Sequence, residues 1–245
     1  MSAPTLGWAE PAAAAPPQSL FSVAAIRHVL TAFLATRLII FAIVVLSLVA
    51  IPMRQGDFFF ADADNILLDG LVRYDSWWYS DIIADGYSLG DVASGAQGNI
   101  AFFPLYPLLI QLVMKLSGST SPFLPAVLIA NGTFLLGLFY LYALAAAEFD
   151  QATAARTVFY LAAAPAALFF SAFYTEGLYT LLIAATFYHS RAGDWLKAAL
   201  FGALAAATRN TGILAALIIA LEGLHQQGLR FHWPARGHWG DYLRQ

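Results

Sequence analysis

Six apolar runs alternate with polar segments along the chain, at residues 29–51, 100–116, 123–147, 157–171, 174–189 and 198–221. The first, third and sixth exceed the ~20 residues that an α-helix needs to span a bilayer. The second is short and carries Pro104 and Pro107 near its start, so it reads either as a crossing or as a re-entrant or interfacial segment. If it crosses, the turn at Thr175-Glu176 lies in the cytoplasm, and so does the arginine-bearing tail. If it does not, Arg156, Arg191 and Lys197 lie there, and turn and tail lie outside; charge counts leave both arrangements open. The pattern predicts an all-α, polytopic integral membrane bundle of about six hydrophobic segments.

Residues 1–28 read as a disordered cytoplasmic N-terminus, the first nineteen rich in Ala, Pro and Ser. The run that follows is long enough to span, so it is expected to serve as an uncleaved signal anchor rather than a removed signal peptide. Arg27 and His28 stand before it, and the loop 52–99 after it holds eight of the fifteen acids. The excess of positive charge on cytoplasmic loops therefore puts the N-terminus inside and this loop outside. Residues 29–221 form the membrane module, and 222–245 read as a polar C-terminal tail.

Composition agrees with this. Charged residues make up 11% of the 245, against about 25% in a soluble domain, and hydrophobic residues make up 60%. A net charge of −3 offers no basic footprint for nucleic acid. Zero cysteines exclude disulfides, thiolate metal sites and a cysteine nucleophile. The five histidines are scattered without metal-ligand spacing, so a divalent cation is possible but no clear motif asks for one. Arginine far outnumbers lysine and alanine is abundant, which hints at a bacterial, GC-rich source and hence a bacterial plasma membrane.

Within the outer loop, residues 73–87 have helical periodicity: Trp78, Tyr79, Ile82 and Ile83 share one face, with Asp75 in the middle of it. Such a helix is expected to lie flat, its aromatics in the membrane interface and its acid aimed at the apolar side. An acid in partly dry surroundings is a candidate base. The alternative makes Asp75 only the N-cap of the helix. Three further charges interrupt apolar stretches: Glu176 between two runs, Arg209 near the middle of the last, and Arg37 inside the first. A charge near the bilayer centre costs roughly 2.5–3.5 kcal/mol, so each needs a partner or a purpose. Glu176 is a functional acid or a solvated turn residue. Arg209 is a phosphate ligand or half of an ion pair, for which Glu176 is the first candidate. Arg37 reads as snorkelling towards the interface.

The order of these elements carries more than each alone. Tyr74-Asp75 with Trp78-Tyr79 and Gly86-Tyr87, then Phe102-Phe103-Pro104-Leu105-Tyr106-Pro107, then Phe173-Tyr174-Thr175-Glu176, then Ala207-Thr208-Arg209, resembles the PIG-V mannosyltransferase family over about residues 29–221. The resemblance implies a C-type glycosyltransferase: a polytopic enzyme that takes mannose or another hexose from a polyprenyl-phosphate carrier on the outer face. It implies that the first outer loop supplies an active-site acid, which maps onto Asp75. It also makes Trp78, Tyr79, Tyr106, Glu176 and Arg209 candidates for binding the donor or substrate. The acceptor hydroxyl stays unidentified, on a lipid, a glycan or a protein. Tyr74 stands where the family usually has tryptophan. The family's chains continue with further spans, so this one is expected to be a truncated, split or minimal member. A competing class is non-enzymatic: a truncated paralogue acting as subunit or scaffold, or a transporter. The almost wholly apolar stretches 157–168 and 213–221 argue against a transport path.

Overall fold

The structure is a computed structural model that describes residues 5–8, 19–51, 65–91 and 96–232. Part of the expected outer loop (52–64 and 92–95) and most of the expected tail (233–245) lie outside the described residues. Nine helices carry the described fold: α1 Val23–Ala50, α2 Ile66–Leu71, α3 Ser76–Asp85, α4 Leu105–Ser117, α5 Phe123–Glu148, α6 Gln151–Ala162, α7 Glu176–Arg191, α8 Trp195–Ala206 and α9 Ala215–Gln226. Two small antiparallel ribbons accompany them: β1 Thr5–Trp8 with β4 Leu229–His232, and β2 Gly90–Asp91 with β3 Ala96–Gln97. The segments read as a disordered N-terminus and a polar tail thus contribute a strand each, and α1 begins at Val23 rather than after residue 28.

Among the described residues two helices, α1 with 28 residues and α5 with 26, are long and apolar enough to cross a membrane. Leu34, Leu38, Ile39, Ile43 and Leu46 of α1 point away from the protein, a surface suited to lipid. The two run antiparallel: His28 near the start of α1 bonds the Tyr142 hydroxyl late in α5 at 3.1 Å. Phe134, Leu138 and Tyr142 of α5 pack with Ala25, Val29 and Ala32 of α1 and with Val158 of α6 in the main core.

Of the remaining apolar runs, 174–189 forms one 16-residue helix, α7, and the other three are divided, folded back or short. Run 157–171 divides at Pro165, which cannot continue the helical hydrogen bonding and holds Ala164 extended at ψ 151°. A 3-10 turn, Pro165–Phe170, follows. Run 198–221 folds into an antiparallel hairpin: a Cβ on Gly202 would meet Ala215 and Ile219, and one on Gly223 would meet Trp195. Its legs have 12 residues each, about 18 Å of helix, joined at the tip by the 3-10 turn Asn210–Leu214. Gly212 closes the tip, since a Cβ there would stand 2.0 Å from the Ala205 carbonyl oxygen. Arg209 and Asn210 are therefore at the tip of a hairpin, not in the middle of a span.

Helix α4, with 13 residues, also stays at one end of the bundle. Pro104 and Pro107 fit its N-cap and first turn, where backbone N–H groups have no helical acceptor anyway. Tyr106 of α4 bonds Ala126 near the start of α5, and Gln111 bonds the Ile83 carbonyl of α3. That end gathers the C-terminus of α1, helices α2 to α4, the N-termini of α5 and α7, and the hairpin tip. At the opposite end Arg191 joins Glu148 and Glu222, bringing together the last turns of α5, α7 and α9. The Glu176 turn thus shares one end of the bundle with helices α2 to α4, and Arg191 lies at the other. The second leg of the hairpin returns the chain, so β4 ends beside β1 at the end where α1 begins.

Candidate active site

Helix α3 is amphipathic as its period predicts, but its aromatic face is covered by protein rather than laid in an interface. Tyr79 sits edge-on to Phe102 and Tyr106, at ring-centroid distances of 5.0 and 5.4 Å, and stacks with Phe173 at 6.1 Å. Trp78 stacks on Phe102 at 5.9 Å. Asn99, fully buried, ties down the far end of the helix: its amide donates to Asp81 Oδ2 at 2.7 Å and to the Gly86 carbonyl at 3.0 Å. The period identified the buried face; the cover is aromatic side chains from α4 and from the segment before α7.

Asp75 occupies the N-cap position yet makes no side-chain capping bond. Its backbone is helical, φ −62° and ψ −17°, instead of the extended form that aims a cap side chain at the first-turn N–H groups. Asp150 and Asp194, in the same position on α6 and α8, do accept from Thr153 and Lys197 N–H. The turn before Asp75 places Tyr74 at φ 53°, a region unusual for a bulky residue and frequent at functional sites. Asp75 is exposed, and its carboxylate lines a cleft instead of finishing a helix.

The cleft, of about 160 Å³, is lined by four stretches of chain: Asp75 and Tyr79; Ala101, Phe102 and Phe103; Tyr174, Thr175 and Glu176; and Thr208, Arg209 and Asn210. Backbone hydrogen bonds hold them in register. Phe173 N–H donates to the Leu71 carbonyl at 2.9 Å, and the Phe173 carbonyl accepts from Ser76 Oγ at 3.1 Å. The Tyr174 hydroxyl donates to the Arg73 carbonyl at 3.1 Å and accepts from Asp75 N–H at 3.2 Å. Leu105 N–H donates to the Ala207 carbonyl at 3.0 Å, joining α4 to the hairpin tip.

Arg209 is positioned from α7. Its Nη1 donates to Glu176 Oε1 at 2.5 Å and to Thr175 Oγ1 at 3.3 Å, and its guanidinium lies 5.8 Å from the Tyr179 ring centroid. The ion pair proposed for Arg209 as a structural role thus exists, but the pair stands in the cleft wall, with 39% of the Arg209 side chain exposed. Glu176 is the first residue of α7, where a carboxylate also meets the positive end of the helix dipole. Its Oε2 is buried without a hydrogen-bond partner among the described residues. Burial pushes the Tyr79 phenol up to about 12, its hydrogen bond with Thr175 pulling the other way. Tyr79 therefore holds its proton more firmly than a free phenol.

Of the residues singled out from sequence, Asp75, Tyr79, Glu176 and Arg209 meet in the cleft. Trp78 and Tyr106 do not line it: Tyr106 is fully buried with its hydroxyl on the Ala126 carbonyl, and both rings support the wall from behind. Sequence reasoning passed over Thr175, Tyr174, Thr208 and Asn210 as site residues, although each adjoins Glu176 or Arg209. Among the described residues no three of His, Asp and Glu cluster as metal ligands.

The four cleft-lining stretches belong to the segments whose order defines the resemblance, and a family-wide comparison agrees. The profile of the mannosyltransferase (PIG-V) family matches residues 19–229. The chain belongs to the PIG-V mannosyltransferase family. It is thus a glycosyltransferase and a membrane protein, and the match takes in every residue lining the cleft. No curated protein and no solved structure matches the chain.

Proposed function

We propose that this PIG-V family member transfers a mannosyl residue from a polyprenyl-phosphate carrier to an acceptor hydroxyl on the extracytoplasmic side of the membrane, with residues 29–221 as the transferase module. One observation carries the reading: Asp75, released from helix capping, shares a cleft with an arginine already oriented by Glu176 and Thr175.

In this reading Asp75 takes the proton of the acceptor hydroxyl as that oxygen attacks C1 of the sugar. The C1–O bond to the carrier phosphate breaks, and the polyprenyl phosphate leaves as an anion. Arg209 meets that anion through guanidinium N–H groups beyond the Nη1 contact to Glu176. Glu176 and Thr175 hold the guanidinium in place before the anion forms, the preorganisation that makes such a charge effective. The cleft is on the scale of one sugar unit, with Arg209 in its wall to meet the phosphate, which leaves the carrier's prenyl chain to apolar surface outside it.

The outward orientation is supported by charge. Arg27, Arg156, Arg191 and Lys197 belong to the end away from the cleft, against Arg73, Lys115 and Arg209 at the cleft end, the excess of bases expected of a cytoplasmic face there; acids stand at both ends, with Glu148, Asp150, Asp194 and Glu222 beside the first four bases. The test is donor choice. Purified full-length protein in proteoliposomes is given polyprenyl-phosphate mannose or nucleotide-activated mannose, each labelled in the sugar. Release of label from the lipid-linked sugar alone, lost in Asp75→Asn, is expected; consumption of the nucleotide sugar instead would overturn the reading.

A further inference from the structure

Arg37 was expected to snorkel, and it does not. It is 2% exposed near the middle of α1. Its Nη2 donates to the Ala162 carbonyl at 2.8 Å, and its Nη1 donates to the Ala167 carbonyl at 3.0 Å and to Ser171 Oγ at 2.7 Å. The guanidinium also lies 5.1 Å from the Phe134 ring centroid.

The acceptors explain why a cation is buried there. Pro165 stops α6, so the Ala162 carbonyl in its last turn lacks the N–H donor that a continuous helix would supply. In an apolar layer such a group cannot turn to water. The planar fork of Arg37 reaches across from α1 and bonds this carbonyl together with that of Ala167 in the 3-10 turn. A positive charge at the carbonyl end of a helix is also favoured by the helix dipole.

The consequence continues along the chain to the cleft. Ser171 Oγ donates onward to Asn131 Oδ1 at 2.7 Å, and the Asn131 amide returns to the Ser171 carbonyl at 3.2 Å, fastening the segment to α5. The residues that follow are the clasp already described: Phe173 on Leu71 and Ser76, Tyr174 on Arg73 and Asp75, then Thr175 and Glu176 against Arg209. A displaced break at 163–171 would therefore move the Arg209 support and the Asp75 turn together.

We infer that Arg37 is a positioning residue for mannosyl transfer, locking the helix break that sets Thr175–Glu176 and Asp75 relative to each other. The inference rests on the proposed function for what is positioned, but the lock itself can be measured without any reaction. Hydrogen exchange is followed on the full-length protein in detergent for wild type, Arg37→Lys and Ser171→Ala. Lysine keeps the charge and loses the two-point fork; Ser171→Ala keeps both carbonyl bonds and cuts the relay to Asn131. Exchange at the Phe173 and Asp75 amides is expected to rise about tenfold in Arg37→Lys and less in Ser171→Ala, with the junction of Glu148, Arg191 and Glu222 unchanged.

With polyprenyl-phosphate mannose as the probe, kcat for mannose release should fall at least about tenfold while KM stays within about twofold, the signature of misplacement rather than lost binding. Faster exchange spread evenly over the chain, with kcat per folded molecule intact, would reduce Arg37 to a general stabiliser and overturn the inference. So would unchanged exchange at both amides. If wild type releases no mannose, the proposed function fails and the exchange pattern alone decides the lock; should Arg37→Lys not fold, Ser171→Ala decides it.

Discussion

Arg209 and Glu176, 33 residues apart, are joined by a 2.5 Å bond from Nη1 to Oε1 across the cleft wall, and this bond links the tip of one helical hairpin to the first turn of another helix. The pair is partly open to its surroundings, so its own contribution to stability is at most about 1 kcal/mol. Its geometric effect is larger, because Glu176 and Thr175 together fix the guanidinium.

Arg209→Lys should therefore separate binding from folding. Lysine can still pair with Glu176 but cannot hold a phosphate at two points at the same time. The KM for polyprenyl-phosphate mannose is expected to rise about tenfold, roughly 1.4 kcal/mol, with a change of only a few degrees in thermal midpoint. A lower midpoint with an unchanged KM would leave Arg209 as a structural partner of Glu176.

Asp75→Asn removes a charge that caps nothing. Mannose release should drop by about 10²-fold or more, the scale of a lost general base, while stability changes by less than ~0.5 kcal/mol. Asp150→Ala provides the contrast, since Asp150 does accept from Thr153 N–H at 2.6 Å. That variant should lower the thermal midpoint and keep its turnover. Equal destabilisation in the two variants, with Asp75→Asn still active, would contradict the role given to Asp75.

The order of the motifs made most of the cleft legible in the sequence, and the fold was legible only where a run matched one helix. Runs 29–51 and 123–147 became α1 and α5 with boundaries shifted by a few residues. Run 198–221 concealed a hairpin, because hydropathy averages over the turn, and the close packing of Gly212 on Ala205 is a tertiary contact that no period encodes. The partners of Arg37 were hidden for a related reason. They are carbonyls 125 and 130 residues away, beside a helix break at a proline whose effect on a distant helix has no local signature. For α3 the spacing identified the buried face but not its cover, which comes from Phe102, Tyr106 and Phe173.

Gly177 follows Glu176 directly, and a Cβ there would stand 2.3 Å from the Ala130 carbonyl oxygen. Backbone cannot yield as a flexible side chain can, so Gly177→Ala should force α7 away from α5 and destabilise the protein by roughly 1–3 kcal/mol. Because the same shift moves Glu176, turnover should fall as well. Gly132, on α5, would meet nothing within 4 Å. Gly132→Ala should be neutral or stabilising by up to about 1 kcal/mol, through the better helix propensity of alanine. Thermal midpoints of the two variants, measured side by side, check the α5–α7 approach; a harmless Gly177→Ala would show the helices less tightly apposed than described.

The hairpin makes a topological prediction that the apolar pattern alone would reverse. If run 198–221 were one crossing, the two ends of that run would lie on opposite sides of the membrane. In the fold both ends lie away from the cleft, and the tip with Arg209 lies beside Asp75. The native chain has no cysteine, so single cysteines report cleanly. Leu89, 78% exposed at the cleft end, and Val23, 85% exposed where α1 begins, mark the two sides. Thr211 at the hairpin tip and Ala192 just before α8 are both exposed. In whole cells a membrane-impermeant thiol reagent should label Leu89→Cys and Thr211→Cys but reach Val23→Cys and Ala192→Cys only after permeabilisation. Labelling of Thr211→Cys together with Val23→Cys would break the hairpin and separate Arg209 from Asp75. Labelling of Val23→Cys and Ala192→Cys alone would keep the hairpin and turn the active cleft to the cytoplasm. The charge at the two ends weighs against that orientation, because Arg27, Arg156, Arg191 and Lys197 would then have crossed the membrane, against Arg73, Lys115 and Arg209 kept inside.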